Sequence, residues 1–378
     1  MKIGILTLPL WNNYGGIIQA YALQETLTNL GHAVSLIDYH HHQTDFDILK
    51  NNFLRFIKHR ILKLENAPYY PNISENTYIS VNTLDFIRNN FENKTRKVTD
   101  DASLKRETEL LDAIIVGSDQ VWRPNYTPDI ANYFLKFAKD KQLKISYAAS
   151  FGTDNWLYND QEENICKELI KRFDAVSVRE NSGVDLVKNK LDFVDAVQLI
   201  DPTMLLNVKD YQTLISKNST YESKGTIFTY ILDQNENIKK FIEKVEDVTD
   251  GKAFEVMPKT FDKNFNDKKG DYVFPSLLQW LRSFDDADYV IADSFHGCVF
   301  SIIFNKPFIA IGNKERGMAR FISLLELFDL QDRLVDINNL DIEVIKKQID
   351  WTSVNHKMAA LQQDAITFLN KSLDVKRA

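Results

Sequence analysis

The chain has 378 residues, 44% of them hydrophobic and 26% charged, the profile of a soluble globular protein rather than a disordered one. A formal net charge of −7 speaks against a nucleic-acid partner, which needs a broad basic face, but leaves room for a small anion held by a few local cations. Two cysteines, Cys166 and Cys298, make neither a metal-ligand spacing nor a disulfide framework, so a reducing cytoplasm is expected.

No apolar run approaches the roughly 20 residues of a membrane helix. The opening Met1-Lys2-Ile3-Gly4-Ile5-Leu6 reads directly as a strand, with no secretory leader ahead of it. Lys2–Leu8 is that first strand, Pro9–Gly16 a loop, and Ile17–Leu30 a helix carrying Ile17, Tyr21, Leu27 and Leu30 at helical spacing before Gly31. His32–Tyr39 follows as a strand, and a right-handed crossover makes it a parallel neighbour of the first. From about 40 to 106 the pattern is that of a helical insertion.

Alternation resumes with strands Asp112–Gly117 and Lys144–Ser150, helix Glu162–Phe173, strand Ala175–Val178, a short helix after Asn181-Ser182-Gly183, and strand Ala196–Ile200. Asp201-Pro202-Thr203 breaks the pattern and divides the chain into an expected first lobe, 1–200, and a second, 201–378. The second lobe reads as strand Thr226–Leu232, helix Ile238–Val248, strand Ala253–Met257, helix Ser276–Phe284 and strand Tyr289–Ala292. Helix Gly297–Phe304, strand Phe308–Ile311, helix Gly317–Phe328 and a long terminal helix Ser353–Leu373 complete it. The expected fold class is α/β, with two Rossmann-like lobes facing a cleft, and ligands belong beyond the carboxyl ends of the strands.

Asp288–Gly312 is the most informative segment. A buried strand ends at Ala292, Asp293, Ser294 and His296 follow, and a helix opens near Gly297. This sets an imidazole beside helix-start N–H groups, suited to holding an anion and moving a proton. In the plainer reading Ser294 only caps the helix and His296 only packs. Arg179, at the end of Ala175–Val178, can grip phosphate or carboxylate through two parallel hydrogen bonds, or simply pair with Glu180 or Asp174. Arg316 and Arg320 stand one helical turn apart and can share a face toward the cleft, or form a solvated helix start. The loop Asn13-Tyr14-Gly15-Gly16 lets backbone N–H groups approach a ligand, though it lacks the dinucleotide fingerprint G-x-G-x-x-G. Ser118, Asp119 and Gln120 follow another strand and suit sugar hydroxyls; Trp122 suits stacking on a sugar or burial in a core.

Two further features point elsewhere. His40-His41-His42 are adjacent, so at most two can join one metal, and no metal is expected. Phe53–Leu64 is amphipathic and basic; it fits a helix packed on the first lobe, or peripheral contact with a membrane carrying a lipid-linked acceptor.

Several blocks, in order over about residues 1–330, resemble the polysaccharide pyruvyl transferase family. They are I-L-T-L-P-L-W-N-N-Y-G-G-I-I-Q-A-Y-A-L-Q near the start, V-G-S-D-Q-V-W-R-P at Val116–Pro124, Y-A-A-S-F-G at Tyr147–Gly152, S-V-R-E at Ser177–Glu180, D-P-T at Asp201–Thr203, and D-S-F-H-G at Asp293–Gly297. The resemblance implies a GT-B-like fold, phosphoenolpyruvate as co-substrate with no other cofactor, and a pyruvate ketal on a sugar or lipid-linked oligosaccharide. It also implies catalytic roles for an arginine and a histidine across the cleft, here Arg179 and His296. The expected site then has Ser294, Gly297, Arg316 and Arg320 on the donor, and Asn13, Tyr14, Gly15, Gly16, Ser118 and Asp119 on the acceptor. The expected location is the cytoplasm or the inner membrane face. A GT-B glycosyltransferase using a nucleotide sugar and a non-catalytic carbohydrate-binding protein are the alternatives.

Overall fold

The structure, a computed structural model, describes residues 1–42, 70–217, 221–312, 317–337 and 343–375. Two wholly parallel sheets organise it. The first is built from β1 (Lys2–Leu6), β2 (Ala33–Ile37), β3 (Ala113–Val116), β4 (Leu143–Ala149), β5 (Ala175–Val178) and β6 (Val197–Gln198), in the order β2-β1-β3-β4-β5-β6. The second holds β7 (Ile227–Tyr230), β8 (Ala253–Phe254), β9 (Tyr289–Ala292), β10 (Phe308–Ile311) and β11 (Leu334–Val335), in the order β11-β10-β9-β7-β8. Every residue of β3 and β4 is buried, and so is every residue of β9 and β10. That is why these strands read as unbroken apolar runs: helices cover both faces of a parallel sheet.

Strand order fixes where a ligand can enter. β1 lies between β2 and β3, and β7 between β8 and β9, so each sheet changes winding direction beside its first strand. A crevice opens at such a switch, beyond the carboxyl ends of the strands. In the first sheet those ends lead into Asn13–Gly16 and Ser118–Gln120; in the second, into Leu232 and Asp293–His296.

The helix at Tyr14–Asn29 starts three residues earlier than its apolar spacing predicts, because Asn13 caps it, its side chain accepting from Gly16 N. This helix also joins the lobes. The Tyr14 ring stacks on Trp280 at 5.2 Å, and its hydroxyl donates to Pro275 O at 2.7 Å. On the other side of the interface, Asn181 N donates to Ser323 Oγ at 3.1 Å. The terminal helix Trp351–Leu373 returns to the first lobe, with Phe368 against Tyr147 at 6.5 Å, and its Gln362 Nε2 donates to Met204 O at 2.7 Å, just past the lobe boundary.

Within the insertion the described helices are Ile73–Ile79, Val81–Asn90 and Asp101–Thr108, the first and third opened by capping boxes at Asn72 and Asp100. Asn82 Nδ2 donates to Phe274 O at 2.9 Å, so the insertion also touches the second lobe. The amphipathic stretch Phe53–Leu64 lies outside the described residues. Among the described residues, no helix is long and apolar enough to cross a membrane.

Candidate functional site

A cavity of about 400 Å³ lies between the two switch points, within the range of about 300–1,000 Å³ typical of small-molecule sites. From the first lobe it is lined by Asn13, Tyr14, Gly15, Asp119, Gln120 and Tyr126, and from the second chiefly by Asp293, Ser294, Phe295, His296 and Arg320. The backbone dictates much of this arrangement. Asp119 adopts a left-handed conformation (φ 71°) and accepts from Asn13 Nδ2 at 3.2 Å, joining the two first-lobe loops. Asp293 accepts from the N–H groups of Leu232 (2.8 Å) and Asp233 (2.9 Å), which clamps the end of β9 to the end of β7.

The helix after β9 spans Phe295–Ile303, two residues earlier than expected. Ser294 is its N-cap, Oγ accepting from Gly297 N at 3.1 Å, so His296 lies inside the first turn. Gly297 faces away from the cavity: a Cβ there would stand 2.5 Å from the Ala292 Cβ, so glycine is what lets the helix sit this close to its strand. Gly15 likewise makes room for His296, whose Nδ1 would be 2.0 Å from a Cβ at that position.

Arg179 does not line the cavity. Its guanidinium is 3% exposed and lies 4.2 Å over the Phe295 ring, just behind the cavity wall. Nη1 donates to Asp201 Oδ2 at 2.8 Å and to Ser118 Oγ at 3.3 Å, while Nε is 3.9 Å from Glu180 Oε2. Nε and Nη2 are buried with no hydrogen-bond partner. Burial opposes the positive charge, but the carboxylates of Asp201, Glu180 and Asp119 outweigh it and hold the Arg179 pKa above its ordinary value.

Asp201 is the residue the sequence did not single out as functional. It is 1% exposed, and Oδ2 receives Arg179 Nη1 and Ser118 Oγ (3.0 Å) and lies 3.6 Å from His296 Nε2. Burial pushes its pKa up, yet His296 and Arg179 together hold it well below the usual carboxylate range. Arg179 and His296, 117 positions apart in sequence, thus converge on one carboxylate oxygen.

Among the described residues, the arginine that lines the cavity is Arg320, at the start of helix Ala319–Leu327. Burial, with Arg179 and Arg123 adding like charge, presses its pKa down to about 10, which leaves it cationic at neutral pH. Such a cation is stabilised by an arriving anion.

Of the other expected site residues, Ser118 is buried and committed to Asp201, and Gly16 caps onto Asn13; neither lines the cavity. The Tyr14 ring is buried against Trp280. Arg316 lies outside the described residues. Trp122 is a core residue, stacked on Phe134 at 4.8 Å with its N–H donated to Tyr133 O, so it offers no face to a sugar. Exposed aromatic surface comes instead from Tyr126, 45% exposed at the cavity, with the Arg123 guanidinium 4.5 Å from its ring centre. His40 pairs with Asp38 at 2.7 Å, and among the described residues no group of three metal-ligating side chains is assembled.

A family model described as polysaccharide pyruvyl transferase matches residues 13–315, which contain every cavity contact named above except Arg320. Comparison with curated proteins finds no match. Among solved structures, the chain is similar to UDP-GlcNAc 2-epimerase from Neisseria meningitidis bound to UDP-GlcNAc, at 10% identity over 99% of each chain with a TM-score of 0.50. It is also similar to Arabidopsis thaliana UGT89C1 complexed with UDP-L-rhamnose, at 9% identity over 99% of each chain with a TM-score of 0.52. At these identities the likeness concerns the fold, which is GT-B-like.

Proposed function

The chain belongs to the polysaccharide pyruvyl transferase family, and on that premise we propose that it moves the pyruvyl group of phosphoenolpyruvate onto two hydroxyls of a sugar as a ketal. The observation that carries this reading is the pairing of an imidazole, His296, with a buried cation, Arg320, on the wall of one interlobe cavity. Phosphoenolpyruvate brings a phosphate, a carboxylate and an enol carbon that must be protonated, so it needs both groups. No cofactor enters the scheme.

In the proposed reaction the methylene carbon gains a proton and the adjacent carbon becomes electrophilic. One sugar hydroxyl adds to it and loses its proton; the C–O bond to phosphate breaks; the second hydroxyl closes the ketal and loses its proton. The products are the ketal and inorganic phosphate. Arg320 stabilises charge on the departing phosphate, and Arg179 adds to the positive field from behind Phe295. His296 serves either as the acid toward the methylene carbon or as the base toward a hydroxyl. The sugar acceptor lies against the first-lobe wall, at Asn13, Asp119 and Tyr126.

A nucleotide sugar is the competing donor, since the structures named above were solved with one. Thermal-shift titration separates the two. Phosphoenolpyruvate at about 100 times its Kd is expected to add about 2.7 kcal/mol of stability. Stabilisation by UDP- or GDP-sugars and none by phosphoenolpyruvate would reject the proposal.

A further inference from the structure

Asp201 is too deeply buried, at 1% exposure, to touch a ligand, yet four donors near the cavity converge on its carboxylate. Oδ1 accepts from Thr203 N at 3.0 Å and Thr203 Oγ1 at 2.8 Å. Oδ2 accepts from Arg179 Nη1 at 2.8 Å and Ser118 Oγ at 3.0 Å. Four donors from three residues hold the carboxylate in place and keep it ionised.

His296 approaches this fixed anion through one ring nitrogen. Its Nε2 is buried with no hydrogen-bond partner, and Asp201 Oδ2, at 3.6 Å, is the acceptor that faces it. Nδ1 is on the opposite side, against Gly15 at the cavity wall. The two ring nitrogens therefore differ: one faces a buried carboxylate, the other the side where substrate enters. A carboxylate beside one nitrogen of a neutral imidazole favours the tautomer with its proton there, and it stabilises the imidazolium when that forms. Among the described residues, the other charged groups on this cavity are Asp119, Asp293 and Arg320.

We propose that Asp201 is a positioning residue for His296: it holds the proton on Nε2, so that Nδ1 is the atom that exchanges a proton in the cavity. This rests on the reading of His296 given above. Sharing one oxygen between Arg179 and His296 also makes the charge of Arg179 part of the same device. A purely structural role, in which Asp201 only neutralises Arg179, leaves the imidazole tautomer unconstrained.

The test is nitrogen-15 NMR of the unliganded, histidine-labelled full chain, with the His296 signals assigned by their loss in His296→Gln. At a pH where the ring is neutral, the wild-type ring is expected as the Nε2–H tautomer. Finding Nδ1–H instead would overturn the proposal, whatever the donor is. In Asp201→Asn the tautomer preference is expected to vanish or reverse. Turnover should fall by about 10²–10⁴-fold. A folded Asp201→Asn protein with an unchanged tautomer would also overturn it. If that variant fails to fold, the wild-type tautomer alone decides. Loss of pyruvyl transfer to all sugars, with the Nε2–H tautomer present, would instead count against the reaction assignment and leave this proposal standing.

Discussion

Gly15 and His296 fit against each other so closely that a single methyl group would not pass between them: a Cβ on Gly15 would lie 2.0 Å from Nδ1 and 2.5 Å from Cε1. The helix start of one lobe is thus the backstop for the imidazole of the other. Because the ring is wedged between Gly15 and Asp201, its position depends on how the two lobes dock.

Gly15→Ala is expected to displace the imidazole rather than unfold the chain. Misplacing a catalytic group by about 1 Å costs on the order of 10²-fold in rate. The expected result is a fall in kcat of at least that size, with a cooperative thermal transition retained. Steady-state kinetics beside calorimetry checks both halves, and an alanine variant with wild-type kcat would show that the ring is not held here.

Arg320→Gln removes a buried cation that sits in the field of Arg179 and Arg123. Charge-assisted hydrogen bonds to an anion are worth about 1.5–3 kcal/mol. Affinity for phosphoenolpyruvate should therefore fall about 10–100-fold in a variant that still unfolds cooperatively. Calorimetric titration together with the unliganded Tm measures this.

The Arg179–Asp201 pair is predicted to set acid stability. Asp201 has a depressed pKa, so its contribution is full above its unfolded value of about 4 and is lost only as pH falls through the lower folded value. Arg179→Gln should cost about 3–5 kcal/mol, because it strands a buried carboxylate. It should also raise the Asp201 pKa toward its unfolded value, so that less stability is lost below about pH 4 than in the wild type. Urea midpoints measured from neutral pH downward test both the size and the direction.

Tyr14→Phe separates packing from binding. The hydroxyl donates to Pro275 O across the lobe interface and the ring stacks on Trp280. Its loss should cost about 1 kcal/mol of stability and leave the KM for the acceptor unchanged. A raised acceptor KM with unaltered stability would return Tyr14 to the sugar-binding surface.

Much of the architecture was legible because fully buried parallel strands announce themselves. Ala175–Val178, Tyr289–Ala292 and Phe308–Ile311 occupy the residues their apolar runs predict. Leu334–Val335 escaped notice, since two residues carry no period. Helix starts were harder to read. Gly15 and Gly16 look like loop residues by propensity, and only the close approach of His296 explains a glycine at position 15 in a helix. His296 stands out because it follows a buried strand. Asp201 reads as a boundary, because Pro202 breaks the local pattern and the partners that give it meaning, Ser118, Arg179 and His296, are all remote in sequence. For the same reason Arg179 reads as a direct ligand contact until the fold shows it behind Phe295.

The central claim, that an imidazole and a buried cation in the interlobe cavity drive addition of sugar hydroxyls to phosphoenolpyruvate, is most directly tested by mass spectrometry. The full chain is incubated with phosphoenolpyruvate and a panel of glycans, with His296→Ala in parallel. The account predicts a glycan that gains one pyruvyl group, with stoichiometric release of phosphate, and neither product from a folded His296→Ala protein. A ketal formed at wild-type rate by His296→Ala, or glycosyl transfer from a nucleotide sugar with no pyruvylation of any glycan, would contradict it.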